Sequence, residues 1–246
     1  RAQGRGGYVL AGGGTDQESA FRWLIDRAGG GNIVVIRASG AGAYNQWILD
    51  LGGVDSVETI VFRDRAAASD PFVIARLRAA EAVFIAGGDQ SRYVTFWQGT
   101  PVEDELHALI ARGGVIGGTS AGLAILGEYA FGARHDTVTS ADALADPFRK
   151  EVALDRDFLS LPHLDRLITD SHFVERDRLA DFGVEAFDLE RFARCDLVLL
   201  ATCLDHCEHG GQSYRAATAP PTGRSSLTAR ADGASEHKEG VLLMVV

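Results

Sequence analysis

Gly118-Thr-Ser-Ala-Gly122 holds one serine among small residues, between the short apolar run Val115-Ile116 and the apolar segment Leu123-Ala-Ile-Leu126. Strand, sharp turn and helix is the reading of such a stretch. The G-x-S-x-G spacing matches a nucleophile elbow, in which small neighbours let the chain bend tightly enough to lift the hydroxyl above a sheet. A serine hydroxyl is a weak nucleophile until a base takes its proton, and the base works best when a third group fixes its tautomer. The chain has seven histidines. His107 falls inside a helical pattern, His135 in the loop after the elbow, and His163 follows Leu161-Pro162. His206, His209 and His237 lie in an atypical tail. His172 differs from these because Leu167-Ile-Thr-Asp170 reads as a strand ending just before it, which would carry it to the same rim as Ser120. It is the candidate base, set against the plainer reading of a structural histidine.

The elements that must position these two groups alternate. Tyr8-Val-Leu-Ala11 runs into Gly12-Gly-Gly14 and then into a helical pattern with Phe21, Leu24, Ile25 and Ala28 on one face. Asn32-Ile-Val-Val-Ile-Arg37 is a continuous β-branched run, the signature of a strand buried on both faces of a parallel sheet. A helix around 44–51, a strand at 57–62 and a helix opened by Asp70-Pro71 follow, the last with an N-cap and Pro at its first position. Ala82-Val-Phe-Ile-Ala86 leads directly into Gly87-Gly-Asp-Gln90, a helix covers 103–111, and Val115-Ile116 returns to the sheet. Such alternation implies an α/β fold with a mostly parallel sheet and right-handed crossovers. Ligands in such sheets bind beyond the carboxyl ends of the strands, so the turns at Gly12–Gly14, Gly87–Gln90 and Gly118–Ser120 should converge. The full G-x-G-x-x-G pattern with its later acid is absent from the first turn, which speaks against a dinucleotide site.

Bulk properties narrow the class. A chain of 246 residues with 46 % apolar and 24 % charged residues fits one large α/β domain, expected here to span 1–246 with an irregular stretch at 203–239. A formal charge of −10 argues against nucleic acid as a partner, since phosphate affinity comes from clustered Lys and Arg. No apolar run approaches the eighteen or more residues of a membrane span. Three cysteines, Cys195, Cys203 and Cys207, are too few for a disulfide scaffold and leave the compartment, cytoplasmic or secreted, open. Cys203, His206, Cys207 and His209 lack the second paired half of a zinc module, so no metal and no cofactor are expected. A homodimer is compatible with the chain.

Three motifs in this order, Gly87-Gly-Asp-Gln90, Gly118-Thr-Ser-Ala-Gly122 and Asp170-Ser-His-Phe-Val-Glu-Arg-Asp-Arg178, resemble cyanophycinase and its relatives, which share a serine peptidase family with peptidase E. The resemblance covers roughly residues 7 to 182. It implies a class I glutamine amidotransferase-like three-layer sandwich with a flavodoxin-like core. It also implies a Ser/His/acid hydrolase of peptide bonds at aspartyl residues, with a peptide or polypeptide substrate. Carried over, Ser120 is the nucleophile and His172 the base, while Asp89, Gln90, Asp170, Arg176 and Arg178 line the substrate site. Relatives carry Glu where this chain has Asp142, which is therefore the expected triad acid; Glu128 and Asp136 are the competitors, and a helix-start acid is the plain reading of Asp142. The backbone N–H of Ala121 and the turn at Gly88 are the expected oxyanion donors.

The chain departs from the pattern at Ser171, where cyanophycinase proper has Gln, and at Asp181, where a further Arg would stand. The tail from Cys203 to Glu239 matches nothing in it. Both departures bear on substrate more than on hydrolysis, and a small aspartyl dipeptidase like peptidase E, or a degenerate homologue, is the alternative.

Overall fold

The computed structural model describes residues 4–172, apart from 147, 153, 160, 163, 165 and 166, together with short strands at 198–200, 212–213, 230–231 and 241–244. In chain order the elements are β1 (Gly7–Ala11), α1 (Glu18–Ala28), β2 (Asn32–Arg37), α2 (Ala43–Leu51), β3 (Ser56–Val61), α3 (Pro71–Ala79), β4 (Ala82–Ile85), α4 (Gln90–Trp97), α5 (Pro101–Ala111), β5 (Val115–Thr119) and α6 (Ala121–Ala124). Then follow β6 (Tyr129–Ala130), α7 (Ser140–Ala145), β7 (Asp155–Arg156), β8 (Leu167–Thr169), β9 (Val198–Leu200), β10 (Gln212–Ser213), β11 (Arg230–Ala231) and β12 (Val241–Met244).

The main sheet has the order β12-β1-β5-β4-β2-β3, and every pair in it is parallel. Side chains alternate across it and sort into two cores. Tyr8, Leu10, Val34, Ile36, Val83, Ile85 and Ile116 face α3, α4 and α5, meeting Leu77, Trp97 and Leu106. Val9, Ile33, Val35, Phe84 and Val115 face α1 and α2, meeting Phe21, Leu24 and Ile48. That is why β2 reads as an unbroken apolar run: both faces are covered. Each large side chain fully buried in this way contributes about 1.5–3 kcal/mol, and Trp97, Tyr93, Phe21 and Phe84 are all among them. Tyr93 stacks on Trp97 with ring centroids 4.5 Å apart, and Phe21 tilts against Phe84 at the same distance.

Local signals act as the chemistry requires. Asp70 caps α3 by accepting from the N–H of Phe72 at 2.8 Å, with Pro71 at the first helical position. The elbow helix is shorter than its apolar pattern suggested: α6 ends at Ala124, and Glu128 stands beyond it beside β6. β12 pairs in parallel with β1 and forms one edge of the sheet. A second sheet, in the order β7-β6-β8-β9, carries β8, the strand that leads to His172. No helix among the described residues is long and apolar enough to cross a membrane.

Candidate active site

The turns at Gly12–Gly14, Gly87–Gln90 and Gly118–Ser120 follow the carboxyl ends of β1, β4 and β5, all strands of the main sheet. Ser120 follows β5 directly, between the ends of β1 and β4. Its backbone has φ 52° and ψ −119°, a conformation that L-residues rarely adopt and that stores about 1–3 kcal/mol. Two close approaches hold the bend. A Cβ on Gly118 would stand 2.5 Å from the backbone carbon of Gly122, and one on Gly122 would collide with the carbonyl of Ile85 in β4. The two glycines of G-x-S-x-G are thus required by contact with each other and with the neighbouring strand.

His172 reaches the elbow through the second sheet. The hydroxyl of Thr169, at the end of β8, accepts from the N–H of Gly127 at 3.1 Å and donates to the carbonyl of Leu123 at 2.7 Å. This ties the His172 strand to the segment that leaves Ser120. The end of β1 completes the alignment: the N–H of Ser120 donates to Ala11 O at 3.1 Å, and that of His172 to Gly12 O at 3.2 Å. With His172 at φ 51°, its ring lies over Gly13, and Nε2 stands 2.9 Å from the Oγ of Ser120. That is hydrogen-bond distance for a nucleophile and its base.

Around this pair, Gly87 faces Ser120, since a Cβ there would lie 3.4 Å from the serine Cβ, whereas Gly88 faces Tyr93 Oη and Ser39 Oγ. Gln90 is buried at the start of α4, and Asp89 caps that helix by accepting from the N–H and the hydroxyl of Ser91 at 2.9 and 2.6 Å. Asp170 and Ser171 are fully enclosed. Arg176, Arg178 and Asp181 lie outside the described residues, as do Cys203, His206, Cys207 and His209. No group of three or more His, Cys, Asp or Glu among the described residues is arranged to hold a metal ion.

The acid expected at Asp142 is placed elsewhere. Asp142 sits in the exposed first turn of α7, where Thr139 caps the helix through the N–H of Asp142 and donates its hydroxyl to Asp142 Oδ2 at 2.8 Å. Arg149 Nη1 lies 3.3 Å from Oδ1. The Thr139 hydrogen bond, reinforced by the charge of Arg149, holds the carboxyl below its ordinary range. Its two oxygens are thus taken up by a helix start and an arginine rather than by imidazole, which is the plain reading of Thr139-Ser-Ala-Asp142 as a capping pattern. Of the competitors, Glu128 takes Arg156 at 2.9 and 3.2 Å, and Asp136 is exposed, accepting from the N–H of Thr137 at 2.7 Å.

The reading of the residues missed a polar cluster on the same rim. Asp16 Oδ2 accepts from the phenol of Tyr44 at 2.5 Å, its Oδ1 is enclosed without a hydrogen-bond partner among the described residues, and Thr119, next to the nucleophile, lies beside this carboxyl. Burial raises the Asp16 carboxyl above its ordinary value despite these neighbours and the charge of Arg37. The available signal was a charged residue, Arg37, directly ending an otherwise apolar central strand.

Residues 49–165 match the sequence model of peptidase family S51. The chain is similar to cyanophycinase of Synechococcus elongatus, with 31 % identity over 190 residues, 72 % of this chain and 56 % of that protein. It is also similar to cyanophycinase of Trichormus variabilis, with 31 % identity over 129 residues, 52 % of this chain and 40 % of that protein. The chain therefore spans about half the length of the curated relatives it matches. Among solved structures, a peptidase from an acI-B1 actinobacterium superposes with a TM-score of 0.56 at 16 % identity, covering 81 % of this chain and 82 % of that one, a likeness of fold.

Proposed function

We propose that the protein is a serine peptidase of family S51, whose sequence model residues 49–165 match, and that it hydrolyses peptide bonds at aspartyl residues, with cyanophycin or β-aspartyl-arginine-type material as the substrate class. The observation that carries the reading is the 2.9 Å contact between Ser120 Oγ and His172 Nε2 on a strained elbow.

In the reaction His172 Nε2 takes the hydroxyl proton as Ser120 Oγ bonds to the scissile carbonyl carbon. The electron pair moves to the carbonyl oxygen, and the oxyanion is received by the N–H groups of Ala121 and Gly88, neither of which has an acceptor among the described residues. Collapse breaks the C–N bond, and the leaving amine takes the proton from His172. Water then attacks the acyl-enzyme, giving its proton to His172, and the second collapse returns Ser120 with its hydroxyl.

The test is Ser120→Ala against a panel of aspartyl peptides, with fluorophosphonate labelling of the wild type. Loss of turnover in a folded variant and covalent modification at Ser120 are the expected results. Turnover surviving in Ser120→Ala overturns the assignment, and failure of the native protein to label favours a degenerate homologue.

A further inference from the structure

Gly87 and Gly88 lie between β4 and α4, and two adjacent glycines make the peptide that joins them easy to turn over. A flip rotates ψ of the first residue and φ of the second, and it carries the second toward positive φ, which glycine enters freely. The orientation matters beside Ser120. One face of this peptide offers the N–H of Gly88, the other the carbonyl oxygen of Gly87.

In the structure the carbonyl is held. Tyr93, one turn into α4, has its Oη 2.8 Å from the carbonyl oxygen of Ala86 and 3.1 Å from that of Gly87, and its hydroxyl donates to both. No peptide bond is cis among the described residues, so the C=O of Gly87 and the N–H of Gly88 point to opposite sides of one plane. With the oxygen on Tyr93, the N–H is turned away from the phenol, and it has no acceptor among the described residues. Ser120 packs against the same turn, since a Cβ on Gly87 would stand 3.4 Å from the serine Cβ.

Tyr93 suits the role of a fixture. Its side chain is fully buried, and its ring stacks on the equally buried Trp97 with the planes 7° apart. Burial pushes the phenol up to about 12, so it keeps its proton and donates at any working pH. Oη also occupies the space that a side chain on residue 88 would need, because a Cβ on Gly88 would stand 2.6 Å from it. Packing alone would call for one acceptor at most, whereas this hydroxyl spans two successive carbonyls of the turn that faces Ser120. Resting on the assignment of Ser120 as nucleophile and Gly88 as oxyanion donor, we propose that Tyr93 is a positioning residue of this site, its phenol locking the Gly87–Gly88 peptide with the N–H toward the oxyanion.

Tyr93→Phe keeps the ring stack and removes the hydroxyl. On an aspartyl peptide it should lower kcat by about 10- to 100-fold with KM within a few-fold of wild type, less than the about 100- to 1000-fold of losing an oxyanion donor outright. Rates are compared at equal folded fraction, measured by chemical denaturation. Gly88→Ala, whose Cβ would displace the phenol, should give a similar loss, and the two losses should not add in the double variant. Unchanged kcat in a folded Tyr93→Phe, a loss confined to KM, or additive losses overturn the proposal. An amide nitrogen–proton correlation spectrum decides it without turnover: Gly88 should give one sharp cross-peak in wild type and a broadened or doubled one in Tyr93→Phe, with Val35 and Ile116 unmoved, and a single sharp Gly88 peak in the variant refutes the lock. If the wild type neither cleaves the peptide nor labels with fluorophosphonate at Ser120, the peptidase reading fails while the Gly88 cross-peak still decides Tyr93.

Discussion

The imidazole of His172 rests on Gly13. A Cβ at Gly13 would stand 2.5 Å from Nε2 and 2.6 Å from Cε1, and the backbone there has φ 125°, which L side chains rarely adopt. The glycine turn after β1 is therefore a seat for the proposed base and not merely a bend. Gly13→Ala should push the ring from Ser120 and slow fluorophosphonate labelling by at least about 100-fold, with a loss of roughly 1–3 kcal/mol in stability from the strained backbone. Wild-type labelling in this variant would separate the seat from the reactivity of Ser120.

Thr169 joins the two halves of the site through one hydroxyl, bonded to Gly127 and Leu123. Thr169→Val keeps the shape and strands a buried N–H and a carbonyl. It should destabilise the fold by about 1–3 kcal/mol and slow labelling, and Thr169→Ser should restore both. Chemical denaturation followed by labelling at matched folded fraction distinguishes alignment from stability.

Asp142 serves the start of α7, so Asp142→Ala should leave aspartyl-peptide kcat/KM within a few-fold of wild type. The ion pair and cap contribute to stability above the ordinary carboxylate range, and that contribution fades as pH falls through the depressed value. A loss of kcat comparable to that of Ser120→Ala would return Asp142 to the reaction.

Asp16 has the opposite sign. Its folded carboxyl titrates above the ordinary value of about 3.9, so the native state holds the proton longer than the unfolded chain. Its contribution to stability is fully present below the unfolded value and is lost as pH rises through the folded one. Asp16→Asn should remove this slope. Thermal melts of the two proteins across that pH range test it, and parallel curves would show that the carboxyl is not the source.

Much of the fold was legible because its causes are local. The unbroken apolar run of β2 announced a strand covered on both faces, Asp70-Pro71 announced a helix start, and G-x-S-x-G announced the bend at Ser120, since in each case a few neighbouring residues set the backbone. Thr139-Ser-Ala-Asp142 was equally local, and its capping role was written in the spacing although the resemblance to a family directed attention to a catalytic one.

What the chain alone determined, then, is the set of strand ends and the residues that each carries. Which ends lie side by side depends on pairing between distant segments, and this the tertiary structure decided. Ser120 and His172, 52 positions apart, meet because adjacent carbonyls at the end of β1 and just beyond it, Ala11 and Gly12, hold both backbones while Thr169 clamps the second sheet to the elbow. Arg37 gave no signal beyond a charge at the end of an apolar strand; only the lateral order β5-β4-β2 puts it in one row across the sheet with Ala86 and Thr119. Hydrophobic spacing specifies a strand and its faces, but the neighbours of that strand follow from the packing of the whole sheet.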